Sequence, residues 1–226
     1  MCAQWLRQTA PVKVVPFDLR QRRTAVLDLS ASNRDLQHLD LTGTEELSSY
    51  IQHIITQSQA ETAVGGYNED RTIYRKSELF GHEEPRTVHL GIDIWAPART
   101  PVSAAYDGHI HSFQDNRTFG DYGPTVILAH TSGNIIWHTL YGHLSRKSLE
   151  GLKEGDEVGA SEVFAEIGDE TENGQWPPHL HFQIILDMEG KTGDYPGVCA
   201  ASQRVYYLKN CPDPQLLLQI RSLDQV

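Results

Sequence analysis

From about residue 87 to residue 186 the chain runs in short apolar stretches, 92–95, 102–105, 126–129, 135–141, 163–167 and 179–186, each broken by glycine, proline, asparagine or aspartate. Strands of this length and spacing predict an all-β sandwich or barrel. Thr131-Ser132-Gly133-Asn134 reads as a hairpin turn, which puts His130 and His138 beside it on solvated strand positions. The polar stretches 115–124 and 168–178 adjoin these strands and are expected to wall a cleft. Before residue 64 the pattern differs. Residues 12–15 and 25–29 read as short strands, while Leu47, Tyr50, Ile51, Ile54 and Ile55 share one helical face behind an acidic first turn, Glu45-Glu46. Gly65-Gly66 then reads as a flexible link. The chain thus divides into a small α+β N-terminal segment, 1–64, either a subdomain or an arm packed on the β domain, and a domain over 65–222 with its motif core at 87–186. A short closing helix is expected around Leu216-Leu217-Leu218.

With 226 residues and 39% hydrophobic content the chain can bury one good core. No stretch approaches the roughly 20 apolar residues of a membrane helix, so no membrane insertion is expected. The start lacks the charged-then-apolar layout of a secretory signal, and a cytoplasmic location is expected. Cys2, Cys199 and Cys211 are odd in number and form no CxxC pair, which fits a reducing compartment over a Cys199–Cys211 bridge. A net charge of −11 disfavours nucleic acid, anionic membrane surfaces and anionic wall polymers as partners.

The candidate chemistry lies in histidines. His179 and His181 sit at i and i+2 on a predicted strand, so both project from one face, while Leu180, Phe182 and Ile184 line the other. His89 and Asp93 also have an even offset on an extended segment ending at Pro97. A catalytic zinc uses three protein ligands from imidazole and carboxylate and leaves a fourth position for water. Two histidines and one aspartate meet that need, and a further neutral imidazole beside the metal can serve as general base. Tyr141-Gly142-His143-Leu144-Ser145 supplies another histidine.

Taken in order, His89-Leu90-Gly91-Ile92-Asp93, 96–102, Asp107-Gly108-His109-Ile110, Tyr122-Gly123 with 126–130, Tyr141-Gly142-His143-Leu144-Ser145, Gly155-Asp156-Glu157-Val158 and Pro178-His179-Leu180-His181-Phe182 resemble the lysostaphin-type (LytM) zinc metallopeptidases over about 87–185. The resemblance implies a mainly β, lysostaphin-type antiparallel β-barrel or sandwich (the duplicated hybrid motif). It implies one Zn2+ per chain held by His89, Asp93 and His181, with His143 and His179 as non-ligand catalytic histidines: one takes a proton from water and one stabilises the oxyanion, in an order left open. It also implies a short peptide or peptidoglycan fragment as substrate. Gly65-Gly66-Tyr67-Asn68-Glu69-Asp70-Arg71, the Trp176-Pro177-Pro178 approach to the last motif, Tyr195-Pro196-Gly197-Val198 and Pro212-Asp213-Pro214 are closer still to the peptidase-like module fused to class III aminotransferases and small-molecule kinases in some large bacterial proteins. That subgroup implies an alternative, a non-hydrolytic zinc-binding accessory module that interacts with aminotransferase or kinase partners. Arg99 stands where relatives carry a turn glycine, and Gln183 where a glutamate commonly follows.

Competing signals are weighed the same way. His109-Ile110-His111 repeats the HxH spacing, but after a turn, where the family has an ordinary strand. His82-Glu83-Glu84-Pro85 lacks the second histidine of a helical HExxH site and reads as loop. Ser103 and Ser145 lack a nucleophile-elbow context. Trp176 reads equally as substrate platform or loop anchor. Asn68 and Glu69 carry oxygen atoms able to fill the fourth zinc position in a latent form, but residues 68–75 read rather as the edge of the domain.

Overall fold

The computed structural model describes Leu6 and residues 10–40, 43–76, 78–81 and 84–225. Within them the elements run β1 (Thr24–Leu27), α1 (Glu45–Gln57), β2 (Thr62–Gly65), β3 (Arg86–His89), β4 (Ile92–Trp95), β5 (Pro101–Ser103), β6 (Gly108–Asn116), β7 (Gly123–Ser132), β8 (Ile135–Gly142), β9 (Glu157–Val158), β10 (Val163–Glu166), β11 (His179–Ile185), β12 (Val198–Ala200), α2 (Arg204–Asn210) and α3 (Gln215–Leu218). The fold is mainly β. Eight strands form one sheet in the order β1-β2-β4-β11-β8-β7-β6-β9, and β5 with β10 and β3 with β12 form two small pairs. The large sheet is open, with β1 and β9 at its ends, so the barrel alternative is not formed among the described residues.

The centre of this sheet positions the site. β11 lies between β4 and β8 and is buried along its whole length, which is why its sequence reads as nearly continuous apolar residues interrupted by the two histidines. Its register sets His181 opposite both Asp93 and Gly142. Leu180, Phe182 and Ile184 enter the main core with Ile92, Ile94, Val126, Leu128 and Tyr141, leaving the other face for polar chemistry. β7 and β8 form the expected hairpin, and Gly133 takes φ +59 at its turn.

The N-terminal segment joins the sheet rather than resting on it. β1 pairs parallel with β2, and β2 pairs antiparallel with β4. A parallel pair needs a crossover, which α1 supplies while burying Leu47 and Ile51. Leu27, Leu47 and Ile51 share a cluster with Tyr74, Trp95 and Trp176, so one core runs beneath both segments. The division drawn at 64/65 falls inside β2. Gly65 acts there through close approach: a Cβ on it would lie 2.7 Å from the Trp95 ring and 2.8 Å from the Arg71 guanidinium.

Two local readings change. Residues 12–15 are not a strand; Val12 N–H bonds to Leu217 and Val14 O accepts from Ser103, isolated bonds without a ladder, while Val14 and Val15 pack into the core. His130 and His138 are buried rather than solvated. The residue at β7 position 130 faces Trp137 and Tyr106, and its ring bonds the Asp107 carbonyl at 3.0 Å and Thr139 Oγ1 at 2.7 Å. Burial pushes the His130 pKa down from 6.5 to about 4, against the weaker pull of that carbonyl. The unfolded chain therefore binds a proton near pH 6.5 that the folded chain refuses until about pH 4. Folding stability is full above pH 6.5 and falls as pH drops toward 4, by on the order of 2–3 kcal/mol from this residue. Denaturant titrations across that window should show the fall, and His130→Gln should make it shallower, since His89 and His138 are also pushed down to about 4.

Candidate metal centre

The strands bring His89, Asp93 and His181 to one point, all three buried, with one ligating atom of each lying within 4.8 Å of the others. His89 ends β3, Asp93 sits on β4 and His181 on β11. His89 Nε2 and His181 Nδ1 are 3.0 Å apart, and Asp93 Oδ1 lies 3.3 Å from the first and 3.0 Å from the second. Gly91 makes this approach feasible, because a Cβ there would lie 2.6 Å from the His181 ring.

Hydrogen bonds on the far side of each ring decide which nitrogen is free. The Gly66 carbonyl, 2.9 Å from His89 Nδ1, can only accept, so Nδ1 carries the hydrogen and Nε2 the lone pair. Gln183 Nε2 donates to the Pro196 carbonyl, which orients Oε1 toward His181 Nε2 at 2.9 Å and leaves His181 Nδ1 as the lone pair. Two imidazole lone pairs and a carboxylate oxygen thus converge with no hydrogen between them. Such a set is repulsive unless a cation sits among the three atoms, and spacings of 3.0–3.3 Å are close to the edges of a tetrahedron with zinc bonds of about 2.0–2.1 Å. The donor set therefore fits zinc. Burial, with Arg71 beside it, pushes the His89 pKa down to about 4, which keeps the ring neutral. Burial opposes ionisation of Asp93, but the Arg71 guanidinium bonded to it outweighs this and holds its carboxyl well below the usual carboxylate range.

His143 and His179 stand beside this point. Their ring centroids are 4.1 Å apart, and His179 Nε2 is 3.9 Å from Asp93 Oδ1. Each Nδ1 faces a backbone carbonyl, Asn173 O at 2.9 Å and Pro177 O at 2.7 Å, so in both rings Nε2 holds the lone pair. Burial holds both pKa values below the ordinary histidine value. In this state both rings accept protons and neither offers an N–H to the cleft. His143 has φ +62, an uncommon backbone for a non-glycine residue, and follows directly on the strand end Gly142.

One cleft is lined by four of these five residues, Asp93, His143, His179 and His181, while His89 is fully buried. Tyr122 and Trp176, from the two polar stretches expected to form walls, line it, and Leu47, Tyr74 and Phe80 line it from the upstream segment. Trp176 anchors its loop, its Nε1 donating to Gly120 O at 3.0 Å, and its ring also lines the cleft. Arg99 has φ +70, the left-handed region that favours glycine, and its guanidinium pairs with Glu166, Asp169 and Glu172.

The other signals fall elsewhere. His109 and His111 lie on β6, His109 exposed and His111 against His138. Asn68 and Glu69 do not reach the fourth position. Asn68 Oδ1 accepts from Arg204 at 2.7 Å, and Glu69 accepts from Arg71 and from the Leu29 N–H, so both side chains are committed to structure. Ser145 Oγ accepts from Ser148 N–H in a short turn. His82 and Glu83 lie outside the described residues, as does Cys2. Cys199 and Cys211 are free and buried. Sequence reasoning missed Arg71, which bonds Asp93, and read Gly66 only as part of a link, although both lie in the Gly65–Arg71 block that it singled out.

Residues 87–193 match the sequence model of Peptidase family M23. A DD-carboxypeptidase/endopeptidase, Mpg, of Neisseria meningitidis is 37% identical over 131 residues, 54% of this chain and 27% of the relative. The peptidoglycan DD-endopeptidase ShyC of Vibrio cholerae is 32% identical over 102 residues, 44% of this chain and 20% of the relative. The chain thus spans about a quarter of the length of the curated relatives it matches. Among solved structures, the catalytic domain of lysostaphin from Staphylococcus simulans aligns with a TM-score of 0.43 at 23% identity, covering 59% of this chain and 80% of that one.

Proposed function

We propose that this chain, which carries a Peptidase family M23 domain over residues 87–193, is a zinc-dependent metalloendopeptidase hydrolysing a peptide bond in a short, peptidoglycan-derived peptide. The observation that carries the reading is the convergence of three lone-pair donors, His89 Nε2, Asp93 Oδ1 and His181 Nδ1, with two neutral histidines in one cleft. When bound there, zinc supplies a Lewis acid for the scissile carbonyl and lowers the pKa of water. The remaining steps belong to the protein. His143 and His179, each held by a backbone carbonyl at Nδ1, present Nε2 as a base, so either can take a proton from the attacking water. The ring that has taken it becomes a donor. It can then stabilise negative charge on the substrate oxygen or hand the proton to the leaving amine. Oxyanion stabilisation by a histidine thus follows proton uptake rather than preceding it. Tyr122 and Trp176 supply apolar walls able to orient a peptide and limit water.

The printed functions of the two curated relatives support a peptidoglycan-type substrate. Net charge favours released fragments over the anionic wall itself, and the free cysteines support action in a reducing compartment. The alternative, the accessory module suggested by the resemblance to aminotransferase-fused proteins, would need no neutral base beside the metal. The test is a fragment-release assay on isolated peptidoglycan and on soluble muropeptides. New amino groups should appear with zinc, disappear with chelator and return on adding zinc back. A zinc-loaded chain that releases none from either substrate would favour the accessory module.

A further inference from the structure

Arg71 lies upstream of the matched family span and supplies no ligand, yet its side chain is 1% exposed. A buried guanidinium is costly unless its donors are satisfied, and here they are satisfied by the metal site's own surroundings. Nη1 donates to Asp93 Oδ2 at 2.6 Å and to Tyr74 OH at 3.1 Å, Nε to Glu69 Oε2 at 2.7 Å, and Nη2 to Gly66 O at 3.2 Å. That Gly66 carbonyl also fixes His89 Nδ1. The backbone is tied in as well: Asn68 N–H bonds His89 O, His89 N–H bonds Glu69 O and Arg71 N–H bonds Thr87 O.

We propose that Arg71 is a positioning residue for the metal centre, resting on the zinc reading above. A carboxylate left to itself can turn either oxygen, or both, toward a metal. By bonding Oδ2, Arg71 leaves Oδ1 alone facing His89 Nε2 and His181 Nδ1 and so fixes Asp93 as a one-oxygen ligand. Through Gly66 the same guanidinium steadies the carbonyl that sets the His89 tautomer. Two of the three ligands are therefore oriented by residues 66–71, outside the span that defines the family.

The test measures metal binding, not turnover, on the full chain. Zinc affinity is read by competition with a chromogenic chelator, coordination by the visible spectrum of the Co2+-loaded chain, and folding by thermal unfolding without metal. Arg71→Met should weaken zinc by about 10–100-fold, and its cobalt bands should lose intensity as the freed second oxygen joins the ion. Arg71→Lys keeps the charge but cannot span Asp93 and Gly66 together, so it should lose less than the methionine variant while remaining below wild type. A methionine variant with wild-type affinity and cobalt spectrum would overturn the proposal, whatever its melting temperature. Should that variant fail to fold, the lysine variant decides, and wild-type affinity and spectrum in it count against the proposal. A wild-type chain that binds neither ion removes the zinc reading and this inference with it.

Discussion

Alanine at His89, Asp93 or His181 is expected to cost the chain its zinc and its hydrolytic activity together. Each of the three contributes one of the lone pairs that meet within 4.8 Å, and no other residue belongs to that group among the described residues. An outer partner of a metal ligand is worth about 10–100-fold in affinity, so removing a ligand itself should exceed that. Metal analysis after dialysis against a mild chelator is the measurement. Alanine at His109 or His111, on β6, should leave the zinc in place. Zinc retained by the His181 variant and lost by the His109 and His111 variants would mean that the wrong histidine pair has been assigned.

The second large effect separates chemistry from binding. His143→Ala and His179→Ala should keep the metal, since neither contributes a lone pair to the three-atom cluster, yet lower kcat by roughly 100-fold or more, the contribution of a positioned acid or base. Because the rings are 4.1 Å apart and share one proton-transfer task, the double variant should fall far short of the product of the single losses. Near-normal turnover in both single variants would take these rings out of the mechanism.

How far the site could be read from the chain depended on range. The two-residue period of a strand was enough to bring His179 and His181 to one face, and the even offset did the same for His89 and Asp93, because alternation is a local property of extended backbone. The limits of β4 and β8 and the helical face of α1 followed from the same periodicity. What the period could not convey was the side of each ring that the metal would use. That is set by the Gly66 and Pro196 carbonyls, which arrive from other segments, and by Gln183, two residues along β11 from His181. Gln183 shares the face of His181 by the same two-residue period, but its work as the acceptor for His181 Nε2 depends on the Pro196 carbonyl that orients its amide. Arg71 was hidden for a related reason, since a polar residue in a polar stretch normally predicts exposure, and only its four-way hydrogen bonding makes burial tolerable. His130 and His138 were misjudged because a hairpin turn says nothing about what packs over the strands that leave it. The apolar run at 12–15 misled in the opposite direction: burial of Val14 and Val15 is satisfied by packing, without a partner strand.

The parallel pair β1 and β2 also bears on what this molecule would be without them. β4, all four of whose residues are buried, has β11 on one side and β2 on the other. Were the chain cut back to the family span, the backbone of 92–95 would become an unpaired border with donors and acceptors pointing outward, bearing Ile92, Ile94 and Trp95. Such a border is a template for strand addition by a neighbouring molecule. The upstream residues thus act as a guard against self-association, and the strand they shield is the one that carries Asp93.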